Sequence, residues 1–110
     1  MNNTTLTGRL GKDAEVKQHG ERYLITFSIA TSEKRRDGER TDWHNIKYWT
    51  SSDKVAQYLT KGTQIAVSGA YRNDQHEGKY FYYVDAYRVE LLGSKTDNTN
   101  NANDNDGLPF

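Results

Sequence analysis

The chain has 110 residues, of which 34% are hydrophobic, and no cysteine; its mean hydropathy is -1.02. That length holds one domain with a modest core and excludes two independently folded ones. Without cysteine, disulfide staples and cysteine-based zinc sites are excluded, which fits a reducing cytoplasm. No apolar run approaches the ~20 residues of a membrane span, and the polar start Met1-Asn2-Asn3-Thr4-Thr5 is no signal peptide, so a soluble cytoplasmic protein is expected. The formal net charge is zero, but it is unevenly divided. Residues 1–96 carry all 15 Lys and Arg and 12 of the 15 acids, a net of +3, while Asp97, Asp104 and Asp106 give residues 97–110 a net of -3. A mildly basic body therefore precedes an acidic tail.

Thr4 to Leu10 reads as a strand that bulges at Gly11-Lys12-Asp13 and continues, because glycine permits a bend. Arg22 to Thr31 is the clearest strand: Tyr23, Ile25, Phe27 and Ile29 alternate with Leu24, Thr26, Ser28 and Ala30. Glu33 to Asp42 is almost wholly charged around Asp37-Gly38, which predicts an exposed basic hairpin arm. Trp43 to Thr50 places Trp43, Asn45, Lys47 and Trp49 on one face and His44, Ile46 and Tyr48 on the other, since strand side chains alternate.

Ser51 to Thr60 changes period. Val55, Ala56, Tyr58 and Leu59 fit a helical face, with Ser51 or Ser52 as N-cap and Gly62 as terminator. Gln64 to Arg72 returns to alternation, with Gly69 at a barrel-type bend. Asp74 to Gly78 reads as a loop. The last strand, Lys79 to Leu92, is long and aromatic, with Tyr80, Tyr82, Val84, Ala86 and Arg88 on one face and Phe81, Tyr83, Asp85, Tyr87 and Val89 on the other. Ser94 to Gly107 is too polar to offset the entropy of ordering, and the chain ends Leu108-Pro109-Phe110. The expected architecture is all-β: a five-stranded OB-fold barrel over 1–93 with one short helix between its third and fourth strands, then a disordered acidic tail over 94–110.

Trp43, Lys47 and Trp49 on one face offer flat rings for bases and a cation for phosphates, the combination that single-strand binding uses. A lysine between them would be costly to bury, which argues against both tryptophans being core. Lys34, Arg35, Arg36 and Arg40 suit phosphate tracking, although Glu33, Asp37, Glu39 and Asp42 offset them. Tyr71 and Arg72 are the strongest of the remaining aromatic and basic candidates. His19, His44 and His76 lie in separate segments without metal-ligand spacing, and no nucleophile motif or phosphate-cradling glycine loop occurs, so neither an enzyme nor a metal or other cofactor is expected. The tail reads as a docking peptide: Asp104, Asp106 and the terminal carboxylate would meet a basic rim, and Phe110 would fill a pocket.

Several segments together resemble bacterial single-stranded DNA-binding proteins over essentially the whole chain. They are Leu6 to Val16, Phe27 to Glu33, Thr41-Asp42-Trp43-His44, Val55 to Gly62, Val67-Ser68-Gly69 and Asp104 to Phe110. The resemblance implies an OB-fold homotetramer that binds single strands with little sequence preference and recruits replication and repair proteins through its Pro-Phe tail. It aligns Trp43 with the family's stacking tryptophan, Trp49 with a stacking phenylalanine, and His44 with a position near the subunit interface. Arg35 stands where many members have a further tryptophan; a guanidinium can still stack and pair with phosphate. The segment Asn73 to Gly78 is short and lacks a tryptophan often found there.

The expected function is therefore sequence-independent binding and protection of single-stranded DNA in replication, recombination and repair. Its site comprises Trp43, Trp49, Lys47, Arg9, Arg35, Arg36, Arg72 and Tyr71, and its partner-docking residues are Asp104, Asp106, Leu108, Pro109 and Phe110. A primosome-type OB protein or an RNA binder is the alternative, because stacking alone barely separates the two nucleic acids.

Overall fold

The computed structural model describes residues 1–93; the tail residues Asp104, Asp106, Leu108, Pro109 and Phe110 and the expected tail disorder lie outside them. Six strands form one sheet in the order β1-β5-β6-β4-β3-β2: β1 (Thr4–Leu10), β2 (Glu15–His19), β3 (Arg22–Arg35), β4 (Gly38–Thr50), β5 (Gln64–His76) and β6 (Lys79–Gly93). β1 pairs with β5 from Thr4↔Gly69 to Arg9↔Gln64, then turns onto β3 through Arg9↔Ala30 and Leu10↔Ile29. β2 carries that pairing along β3, from Glu15↔Thr26 to His19↔Arg22. Thus β1 and β2 act as one long strand broken at Gly11, as the glycine-centred bulge predicts, and the contact of β1 with both β3 and β5 closes a five-stranded barrel. The barrel's parallel seam joins Ile46, Lys47 and Tyr48 of β4 to Val84, Asp85 and Ala86 of β6.

The alternation read in the sequence fills the barrel. Ile25, Ile29, Ile46, Ile65 and Val67 point inward and are fully buried, and Leu59 joins them in the core. Each such side chain contributes roughly 1.5–3 kcal/mol relative to exposure. Two glycines are required by close approach rather than by turn geometry. A Cβ on Gly8 would strike the Ala30 carbonyl, and one on Gly69 would lie 2.7 Å from the Ala86 Cα.

Three expectations need correction. The helix between the third and fourth barrel strands is a five-residue 3-10 helix, Lys54–Tyr58, not an α-helix over Ser51 to Thr60. Its hydrogen bonds have three-residue spacing, Ala56 N–H to Asp53 C=O and Leu59 N–H to Ala56 C=O, while the Leu59 carbonyl accepts from Ala14 N–H at 2.9 Å. That tie to the β1–β2 link competes with helix continuation. No side chain caps the N-terminus; Ser52 Oγ only accepts from Lys54 N–H at 3.3 Å. Gly62 lies in the following turn, at φ 89.

The expected loop at Asp74 to Gly78 is mostly strand. β5 and β6 pair as far as His76↔Lys79. Glu77 and Gly78 alone make the turn, both with positive φ (53 and 81), the signature of a primed hairpin turn. The face assignment on β6 also breaks partway. Ser68 pairs with Arg88 but Gly69 with Ala86, so Tyr87 is an extra residue in a bulge. The bulge brings Val89 opposite the buried Val67, on the core side with Val84 and Ala86, and turns Arg88 outward.

Candidate nucleic-acid interface

Pairing register arranges the outer face of the barrel in cross-strand rows. Trp43 lies opposite Ala30, which lies opposite Arg9. The next row is Asn45 with Ser28, then Lys47, Thr26 and Glu15, then Trp49, Leu24 and Lys17. Rows two residues apart along a strand are separated by roughly 7 Å, so the tryptophans lie ~20 Å apart at the two ends of one strand face. The residues between them on β3 are small or polar, and Ser28 Oγ donates to Asn45 Oδ1 at 3.2 Å. A groove of about 360 Å³ runs over this floor, between Lys12, Asp13 and Glu15 on one bank and Phe81 and Tyr83 on the other.

Trp43 is 61% exposed although one side of its ring is covered. An ideal Cβ at Gly11 would lie 2.6 Å from Trp43 Cζ3 and 2.8 Å from Cη2. The Gly11 backbone cannot retreat easily, since its N–H donates to the Ser28 carbonyl at 3.2 Å and Leu10 N–H donates to the Thr63 carbonyl at 3.0 Å. Gly11 thus backs the ring and leaves its other side open. Gly11→Val is expected to weaken oligonucleotide binding by displacing the ring, and to have no such effect in a Trp43→Ala background; a double-mutant cycle on affinity checks this.

Trp49 is half-buried. The Arg22 guanidinium lies over its ring at 5.1 Å from the centroid, and His19 meets it edge-on at 5.3 Å. Lys47 Nζ sits 4.2 Å from the Tyr83 ring centroid. Tyr83 in turn donates its hydroxyl to Asp74 at 3.0 Å. Burial pushes the Tyr83 phenol up, reinforced by that hydrogen bond and by the carboxylates of Asp74 and Asp85, against the opposing pull of Arg72. Tyr83 therefore remains a neutral, anchored ring beneath the lysine.

The sequence-derived candidates divide between two faces. Trp43, Lys47, Trp49, Arg9 and Arg72 share the outer face. Arg9 Nη1 donates to the Gly62 carbonyl at 2.9 Å, and Arg72 pairs with Asp85 at 3.2 Å. Arg36 lies in the turn of the β3–β4 arm. Arg35 alternates onto the opposite side of that arm, 3.6 Å from Glu33, where Arg40 also pairs with Asp42. Tyr71 faces away from Trp43 as well: it is opposite Val84, which is buried in the barrel. Its ring begins a ladder with Tyr82 (6.0 Å, 13°) and Tyr80 (6.5 Å from Tyr82, 24°). His44 lies on that same side and shares a 2.9 Å hydrogen bond with Thr31 Oγ1. Phe81 and Tyr83, which border the groove, were not among the candidates; their place on the face of β6 opposite Val84 and Ala86 was the available signal. Among the described residues no group of three or more His, Asp or Glu side chains is placed to hold a metal ion, and no helix is long and apolar enough to cross a membrane.

A closed barrel with aromatic rings and cations over its second and third strands is an OB-fold of the oligonucleotide-binding kind. The family model "Single-strand binding protein family" matches residues 1–97, and the chain belongs to that family. It is 35% identical over 115 residues to a single-stranded DNA-binding protein of Neisseria meningitidis serogroup A, covering 93% of this chain and 66% of that one. It is 33% identical over 125 residues to single-stranded DNA-binding protein 1 of Xylella fastidiosa strain 9a5c, covering 99% and 91% respectively. Among solved structures, the fold is similar to that of a Plasmodium falciparum SSB complex with ssDNA. The TM-score is 0.70 and the identity 28%, over 84% of this chain and 95% of that one.

Proposed function

We propose that this protein binds single-stranded DNA with little sequence preference and without catalysis, protecting it during replication, recombination and repair. The observation that carries this reading is the outer face of β4, where the 61% exposed Trp43 and Trp49 flank Lys47 beside the groove bordered by Phe81 and Tyr83. Bases stack on the two rings, and Lys47, Arg9 and Arg72 meet phosphates. Arg35 and Arg36 extend the cationic reach along the arm. Arg35 and Arg72 already have carboxylate partners, so each must exchange an exposed ion pair for a phosphate. Such surface pairs are worth little, so the exchange is cheap. Tyr71 contributes only where a strand crosses to the other face of the hairpin. No residue is asked to transfer a proton or hold a metal.

Family membership supports three further parts of the proposal: assembly into a homotetramer, a cytoplasmic, nucleoid-associated location, and recruitment of replication and repair proteins by Asp104, Asp106, Leu108, Pro109 and Phe110. Deleting residues 104–110 is expected to leave oligo-dT affinity unchanged while abolishing capture of such partners, which a pull-down from bacterial lysate checks. The alternatives are a primosome-type module or an RNA binder. Competition between matched DNA and RNA oligomers decides the second, because only a contact with the 2′-OH separates the two on a stacking platform. Preference for DNA is expected, and preference for RNA would overturn the assignment.

A further inference from the structure

Lys47 stands on the outer face of β4 between the two tryptophans, and its register partner across the parallel seam is Asp85. Paired strands lie roughly 4.8 Å apart, so the Asp85 carboxylate is the nearest acid that the lysine could rest on. The structure places the ammonium elsewhere. Asp85 is taken by Arg72 at 3.2 Å, and among the described residues Lys47 is in no ion pair. The acid in its own row, Glu15, lies two strands away beyond Thr26. Instead Lys47 Nζ lies 4.2 Å from the Tyr83 ring centroid. That ring is half-buried and lines the same groove as Lys47. It is also tethered: Tyr83 lies opposite Arg72 on β5, and its hydroxyl donates to Asp74, two residues further along that strand, at 3.0 Å.

We infer that Tyr83 is a positioning residue for Lys47: its tethered ring holds the ammonium ready for a phosphate before the strand arrives. This role rests on the single-strand-binding reading above and deepens it. A lysine head on a long flexible stem loses rotamer freedom when it is fixed on a phosphate, and a side chain ordered in advance loses less on binding. The ring face attracts the cation without competing for the phosphate in the way a carboxylate does. A carboxylate has to be displaced, whereas ring and phosphate can hold one ammonium together. The distinction matters most when Arg72 leaves Asp85 for a phosphate of its own. Asp85 is then free to draw Lys47 across the seam, and the hold of Tyr83 opposes that movement.

The test uses the full chain with Tyr83→Leu and Tyr83→Phe, each made alone and in a Lys47→Gln background, and measures oligo-dT affinity across a range of NaCl concentrations. Lys47→Gln should lower the slope of log K against log salt by about 0.7, the share of one phosphate contact with a single strand. Tyr83→Leu should weaken binding roughly 2- to 13-fold, the cost of ordering one long side chain at the moment of binding, and keep the wild-type slope, because the contact still forms. In the Lys47→Gln background the same change should have no effect. Tyr83→Phe keeps the ring but frees it from Asp74, so it should lose a smaller factor, again only where Lys47 is present; it carries the test should Tyr83→Leu not fold. Wild-type affinity in both Tyr83 variants overturns the inference. Equal losses with and without Lys47 overturn it too, since Tyr83 would then stack on a base itself. Either result leaves the Trp43–Trp49 reading standing, whereas wild-type protein that does not bind the oligomer at all overturns both.

Discussion

Replacing Trp43 by alanine is expected to weaken oligo-dT binding by roughly 5- to 150-fold, the factor that corresponds to the ~1–3 kcal/mol of a stacked base. The ring is mostly open and packs on Gly11 rather than in the core, so the substitution removes a platform without leaving a cavity. The unfolding midpoint should accordingly stay close to that of the wild type. Trp43→Phe should recover part of the affinity, because a smaller ring still stacks. Trp49→Ala should act in the same direction but less cleanly: Trp49 is half-buried and in contact with His19 and Arg22, so its loss also disturbs the hairpin. Isothermal titration of the three variants under one salt condition checks the order. If Trp43→Ala bound like the wild type, base stacking would have to be moved off β4.

Gly8→Val is expected to lower stability by on the order of 3 kcal/mol and the midpoint by more than about 10 °C. Gly8 is buried in β1 just before that strand passes from β5 to β3. A Cβ there would overlap the Ala30 carbonyl oxygen and lie 3.0 Å from its carbon, atoms of the backbone that cannot rotate aside. Relief requires β1 to separate from β3, which opens the barrel at its closure. Ala30 is also the cross-strand neighbour of Trp43, so the same change should reduce DNA binding. Loss of binding should therefore track loss of folding here, in contrast to Trp43→Ala. Thermal and denaturant melts with and without oligo-dT distinguish the two behaviours.

The strands were legible where period and burial coincide. In β3 the alternation of Tyr23, Ile25, Phe27 and Ile29 with Leu24, Thr26, Ser28 and Ala30 is readable in the sequence, and Ile25, Phe27 and Ile29 of the first set are buried in the barrel, while Ile46 marks the buried face of β4 and so the open face of Trp43, Lys47 and Trp49. What escaped depends on partners distant in the chain. The Leu59 carbonyl is claimed by Ala14, and no local pattern announces that competition with helix formation. The bulge at Tyr87 exists only relative to Ser68 and Gly69 of β5, so alternation along β6 assigned Val89 and Arg88 to the wrong sides. Tyr71 was grouped with Arg72 by proximity, yet neighbours on a strand face opposite ways, and the hairpin continues far enough for that parity to hold. The alignment of Arg9 with Trp43 and of Lys17 with Trp49 comes from inter-strand register alone, and nothing in the linear sequence announces it. Conversely, the Thr41-Asp42-Trp43-His44 segment was informative beyond its periodicity because of its resemblance to one family.

Stacking of bases on the outer face of β4 is best followed by tryptophan fluorescence during titration with oligo-dT and, separately, with duplex DNA of equal nucleotide content at two salt concentrations. Strong quenching by the single strand alone, weakened by salt, is the predicted result, since stacking on Trp43 and Trp49 requires unpaired bases and the phosphates release counterions. Absent quenching, or equal binding of the duplex, would contradict it.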